Sequence, residues 1–267
     1  MKRLFKYGLV LLAVLAAAHN AYAAVMAVTV SPVTRSIAIP RGGERRVVFT
    51  AYNKSDKTKE VLVVPRLWFV LDENKDMLLD SWLDISPSEF TIGPMEKKEV
   101  TAKITVPEDA EGELSAMIAF RPKPEEGQSI NIVFSVSLYV MVLGTEEIDY
   151  KISNFKLWKF EDRDSVGAIV QLKNDGNIHL KPKIKVTIQS IFKKRYIRAI
   201  DLEYGEPAYP KKDQIYKGAM HGFKLKPGLY RAVIDMDIIN LAEKSKRNAY
   251  FLVGWKGKIL YTFFKRP

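Results

Sequence analysis

Alternation at period two, cut short by turn residues, governs the stretch from Trp82 to Phe120 (WLDISPSEFTIGPMEKKEVTAKITVPEDAEGELSAMIAF). Val100, Ala102, Ile104 and Val106 are apolar with polar neighbours between them, while Gly93-Pro94 and Pro107-Glu108-Asp109 interrupt the runs. Side chains spaced in this way point to opposite faces of an extended strand, one dry and one wet. The rhythm holds on both sides of the stretch. Arg45–Tyr52 ends in the cluster Asn53-Lys54-Ser55-Asp56, Glu60–Leu71 ends at 72–76, and a Pro/Glu/Gly loop at 122–128 leads to Ser129–Leu143. Seven to eight short strands with regular turn signals predict an antiparallel sandwich.

After Gly144-Thr145-Glu146-Glu147 the pattern restarts. Strands are expected at 156–160, 168–173, 184–188, 195–202, 229–235, 249–253 and 258–264, with a short helix around Ile239–Lys246. Asn174-Asp175-Gly176-Asn177 reads as a tight turn that needs positive φ at Gly176. The expected fold is therefore all-β, with two tandem immunoglobulin-like β-sandwich domains at 24–147 and 148–267.

Residues 1–23 read as a secretory leader. Lys2, Arg3 and Lys6 precede the apolar run Gly8–Ala18, which is short for a membrane span, and Ala21-Tyr22-Ala23 supplies small residues for cleavage after Ala23. The expected location is the bacterial periplasm or the medium. The chain has no cysteine, which removes thiol catalysis, thiolate metal sites and lipid attachment through Cys. Stability must come from cores alone, which two domains of this size can build.

Charge is divided unequally. Residues 24–150 carry a net −6 and residues 151–267 a net +14. The densest basic cluster is Lys193-Lys194-Arg195 with Arg198, near Lys181, Lys183 and Lys185. A secretory leader argues against nucleic acid as its partner and favours an anionic lipid or envelope polymer, with a plain solvated face as the simpler alternative. Chemistry-bearing patterns are otherwise sparse. His179 and His221 have no metal-ligand spacing and read as surface residues, while Asp235 and Asp237 share a strand face that could attract a cation. Trp68, Trp82, Trp158 and Trp255 read as core residues. No nucleophile elbow, zinc-protease or phosphate-loop motif occurs. The expectation is a protein that is not an enzyme and needs no cofactor or metal.

Ser129–Leu143 (SINIVFSVSLYVMVL) is the most apolar strand segment. Ile130, Ile132, Phe134, Val136, Leu138, Val140 and Val142 share the expected core face. Asn131, Val133, Ser135, Ser137, Tyr139, Met141 and Leu143 share the opposite one, which is unusually apolar toward its end for a solvent-facing edge. Either the second domain or a partner's strand is expected to cover it, the partner-binding candidates being Val133, Ser135, Ser137, Tyr139 and Met141. On this reading, Val133 and Tyr139 tolerate Lys without loss of the fold.

Several segments resemble the PapD-like periplasmic chaperone superfamily. They are Trp82–Phe120, with its W-x-x-I-S-P-S-x-F-T-I-x-P pattern, the start Val30-Ser31-Pro32 with Thr34-Arg35-Ser36, and Gly42-Gly43-Glu44 with Val47–Asn53. Asn174–Leu180 (NDGNIHL) is similar to a turn in second domains of related envelope proteins. The resemblance implies a non-enzymatic chaperone that binds secreted pilin-like or surface subunits by strand addition. It also implies that Arg35 helps to anchor the subunit's terminal carboxylate. The Lys that the family places in a later strand of the first domain has no counterpart in Ser129–Leu143. The other function weighed is a structural or adhesive envelope protein whose basic half rests on an anionic surface.

Overall fold

The computed structural model describes residues 28–67, 82–124, 131–161, 164–192, 196–203 and 205–264. Contacts divide the chain into two units. The first comprises residues up to Ala110 and Leu114–Leu143, and the second comprises Glu111–Glu113 and Gly144–Pro267.

The first unit is built from β1 (Val28–Ser31), β2 (Thr34–Ile39), β3 (Glu44–Asn53), β4 (Lys59–Leu67), β5 (Leu83–Ser86), β6 (Glu89–Ile92), β7 (Lys97–Thr105), β8 (Glu113–Pro122) and β9 (Phe134–Val142). One sheet has the order β1-β3-β7-β5, the other β2-β9-β8-β4-β6. The chain passes from the first sheet to the second across Ser31–Val33, so β1 pairs antiparallel with β3 while β2 pairs parallel with β9. The two inward rows make one core. Phe49, Val100, Ala102 and Ile104 from one sheet meet Val61, Ile118, Phe120, Leu138 and Val140 from the other, all fully buried. Strand periodicity places these side chains on one face, and hydrophobic burial of about 1.5–3 kcal/mol each holds the sheets together.

The second unit contains β10 (Tyr150–Lys159), β11 (Ser165–Asn174), β12 (Pro182–Ser190), β13 (Tyr196–Asp201), β14 (Lys212–His221), β15 (Gly228–Ile238), β16 (Glu243–Val253) and β17 (Ile259–Phe264). Its sheets run β10-β11-β14 and β13-β12-β15-β16-β17. A separate core forms from Val170, Leu172, Val186, Ile188, Ile234 and Phe251. The all-β fold of two tandem immunoglobulin-like sandwiches is thus realised.

Two local expectations are corrected. Ile239–Lys246 is not helical: Ile238 pairs with Glu243, Leu241 N–H donates to Ile238 O, and Ala242 takes positive φ in the hairpin loop. Eleven residue pairs between β15 and β16 outweigh the weak helical preference of a short segment. Gly176 does not adopt positive φ. Glycine is required there by close approach, since a Cβ would lie 2.3 Å from Glu147 O. A strand that alternation did not reveal, β14, buries little besides Tyr216 and edges the smaller sheet.

Candidate functional site

Strand β9 lies between β2 and β8, so it is an interior strand for most of its length and the expected edge is corrected. Its core row is as expected, with Val136, Leu138, Val140 and Val142 fully buried and Phe134 packed against them. The opposite row splits. Val133 is 42% exposed and Ser135 is exposed, while Ser137 and Met141 are half-buried and Tyr139 is only 4% exposed. Ala119, on the outward row of β8, is also buried, so the middle of this sheet's outer face is shielded. Tyr139 is therefore no surface contact, and Lys there would bury a charge.

The parallel ladder begins late. Its first rung joins Thr34 to Ser137 and its last joins Ile39 to Val142. Ser137 N–H donates to Val33 O and Leu143 N–H to Ile39 O, each at 3.0 Å. Odd-numbered residues of β9 thus aim their backbone groups at β2. By the same alternation Ser135, in β9 but before the first rung, aims its backbone groups the same way, whereas Val133 precedes the strand. The N-terminal end of β9, Phe134–Val136, precedes the first β2 rung, and among the described residues no strand pairs with it on that side, which leaves a short rail with β1 nearby. The sequence predicted the strand and its core row. It could not reveal the rail, because strand pairing is not written in alternation.

Arg35 is on β2 opposite Leu138, exposed, at the same parity as the core-facing Ile37 and Ile39. It stands where that inward row runs out to solvent, close to the first rung. No described carboxylate pairs with it.

The second unit alters several expectations. Lys193, Lys194 and Arg195 lie outside the described residues, as does Trp68; Arg198 is exposed on β13 opposite Ile188. Lys183 and Lys185 do not form an open cationic field. On the outer face Lys183, Asp237 and Lys244 are in register across three strands, as are Lys185, Asp235 and Lys246. Lys246 reaches Asp235 at 2.9 Å and Lys185 reaches Asp201 at 3.7 Å. Asp235 and Asp237 share a face as expected, but lysines flank both. Among the described residues no three His, Asp or Glu side chains group to hold a metal.

His179 is corrected from surface to interior. It and Glu113 are both 3% exposed at the side chain, with Nδ1 2.6 Å from Glu113 Oε2. Burial lowers the pKa of nearby Lys181, while Glu113 pulls it the other way. Trp82 is buried in the first core as expected, whereas Trp255, expected in a core, is 84% exposed.

No protein-family model and no curated protein matches the sequence. Solved structures similar to the chain include the YadV chaperone, at 10% identity over 91% of this chain and 100% of that one, TM-score 0.46. The Pseudomonas aeruginosa CupB2 chaperone is 11% identical over 80% and 95%, TM-score 0.41. The Salmonella enterica SafA pilin in complex with the SafB chaperone is 9% identical over 92% and 98%, TM-score 0.43. At these identities and scores the likeness does not decide function, which has to be argued from the chain's own residues.

Proposed function

We propose that this protein is an exported, non-enzymatic chaperone-like protein that binds secreted pilin-like or surface subunits by β-strand addition at the open end of β9. The observation that carries this reading is the projection of Phe134–Val136 beyond the first β2–β9 rung. On this reading the backbone of Ser135 pairs with the incoming strand, and Val133, exposed just before β9, offers it an apolar side-chain contact. Main-chain hydrogen bonds supply affinity in such a complex, and side-chain contacts on alternate residues supply selectivity. Arg35, exposed beside this rail, suits a carboxylate on the incoming segment.

The test is amide hydrogen exchange on the exported protein, isolated with its bound subunit and again after the subunit is stripped. The Ser135 amide should be protected only in the complex. Ser135→Pro, which removes a donor outside the β2–β9 ladder, should abolish capture while the fold persists, and Arg35→Ala should weaken it. Protection confined to any other strand would overturn the assignment.

A further inference from the structure

A group of exposed apolar side chains lies near the other end of the sequence. On β16 and β17, Tyr250 is in register with Phe263 and Leu252 with Tyr261. These four side chains are 41%, 53%, 43% and 66% exposed, respectively. The alternate residues Ala249, Phe251 and Val253 fill the core, so the exposed four form an outward block. The register shift between Leu252 and Val253 leaves Leu260 without a counterpart, as in a β-bulge, and it is 56% exposed over Gly254. Trp255 extends the block from the turn Trp255–Gly257 and is the most exposed of all at 84%.

This apolar face has a cationic rim. Gly257 packs so closely on Leu225 O that a Cβ would lie 2.8 Å away. That contact sets the loop with Lys224 and Lys226 beside the loop with Lys256 and Lys258, and all four lysines are exposed. Arg231 stands in register with Tyr250 on the block's inner side. None of the four lysines has a carboxylate partner among the described residues, whereas Lys185 and Lys246, farther along the same sheet, are each paired.

We infer that this face docks on an anionic phospholipid bilayer. Trp and Tyr favour the boundary between headgroup and hydrocarbon, because their rings are apolar and their N–H or O–H remains wet. Lysines at the rim suit phosphate headgroups. A second copy of this chain fits less well: a symmetric contact would bring the two lysine clusters together. A contiguous exposed apolar patch of this kind marks a contact site.

The experiment uses the full exported chain, its N-terminus sequenced to show that the apolar run at 8–18 is absent. Flotation with phosphatidylglycerol-containing vesicles should recover the protein, flotation with phosphatidylcholine vesicles should not, and recovery should fall as salt rises. The double variants W255A/Y261S and K256E/K258E should each weaken binding by at least about tenfold with unchanged circular dichroism. K183E, in register with Asp237 and away from this face, should bind like the wild type. Ser135→Pro should also bind vesicles normally, because the inference does not depend on strand addition at β9. Undiminished binding by both double variants, or none by the wild type, overturns it. Vesicle-independent self-association that W255A/Y261S abolishes would assign the face to a second copy instead.

Discussion

Asn53 and Asn174 end long strands, are almost fully buried, and turn their amides onto neighbouring loops. Asn53 Nδ2 donates to the carbonyls of Lys57, Ile92 and Gly93, and its Oδ1 accepts from Ser55. Asn174 Nδ2 donates to Ile178 O and Ala208 O, and its Oδ1 accepts from Gly176 N–H. Alanine at either position strands buried carbonyls, and a cost of about 1–3 kcal/mol is expected in urea unfolding. Burial also excludes glycosylation of folded Asn53, although Asn53-Lys54-Ser55 has the acceptor spacing. Asp175 illustrates charge at the same scale. Lys151 and Lys173 face each other across β10 and β11, an unfavourable pair, and Asp175 bridges them at 2.8 Å to each. Hydrogen bonds from Lys151 and then Lys173 hold its carboxyl at about 2. A depressed carboxylate stabilises the fold above its unfolded value of about 3.9, and that contribution disappears as pH falls through about 2. Asp175→Asn should therefore lower stability at neutral pH and flatten the acid side of the stability profile between about 4 and 2. A carboxyl titration by NMR with a midpoint near the ordinary value would contradict the bridge.

Among the elements, β9 shows how far alternation can be read. Its apolar row at even positions needed only a period of two, and the buried Val136, Leu138, Val140 and Val142 follow from it. Which strands lie on either side does not follow, because pairing is a long-range choice set by both sheets together. Tyr139 was misplaced for that reason: at an edge it would be exposed, yet β2 and β8 flank it and the outer face is shielded there. The helix expected at Ile239–Lys246 failed similarly, overridden by an eleven-pair hairpin. In the second unit, the lysines of β12 looked like a cationic patch because the acids that neutralise them come from β13 and β15. Trp255 defied the usual burial of its residue type, and nothing local distinguishes it from Trp82. The two halves of β9 should respond differently to an added charge. Tyr139→Lys should destabilise the first unit by several kcal/mol, since an unpaired buried charge has to be solvated or neutralised. Val133→Lys should stay within about 0.5 kcal/mol. Thermal unfolding of the two variants distinguishes them, and equal effects would show that the outer face is uniform.

On the scale of the whole molecule, the segment joining the acidic and basic halves is held rather than free. Residues 144–149 carry three carboxylates and are mostly exposed, which is the composition of a protease-sensitive connection. The Asn174–Asn177 turn grips them instead. Asp175 and Gly176 N–H both donate to Asp149 O, and Asn177 N–H donates to Glu147 O. Asn177 Nδ2 donates to Thr145 O, and its Oδ1 accepts from Glu147 N–H. Gly112 N–H adds a bond to the Thr145 hydroxyl. The turn that resembled a known envelope-protein motif thus clamps the connection onto the second unit, and Gly176 is glycine because the clamped backbone passes over it. Asn177→Ala removes the two side-chain bonds and leaves the backbone ones. At about 0.5–1.5 kcal/mol net for each bond, local opening should rise by roughly tenfold or more while both cores persist. A glutamate-specific protease should then cut after Glu146 or Glu147 faster by a similar factor, provided that opening and closing are fast relative to cleavage. The products would be identifiable by charge, since the sequence before residue 151 is acidic beyond the leader and the remainder carries +14, so they part on ion exchange. A cutting rate equal to that of the wild type would mean that the backbone bonds alone hold the connection, and Gly176→Ala, which forces its Cβ against Glu147 O, should then be the variant that releases it.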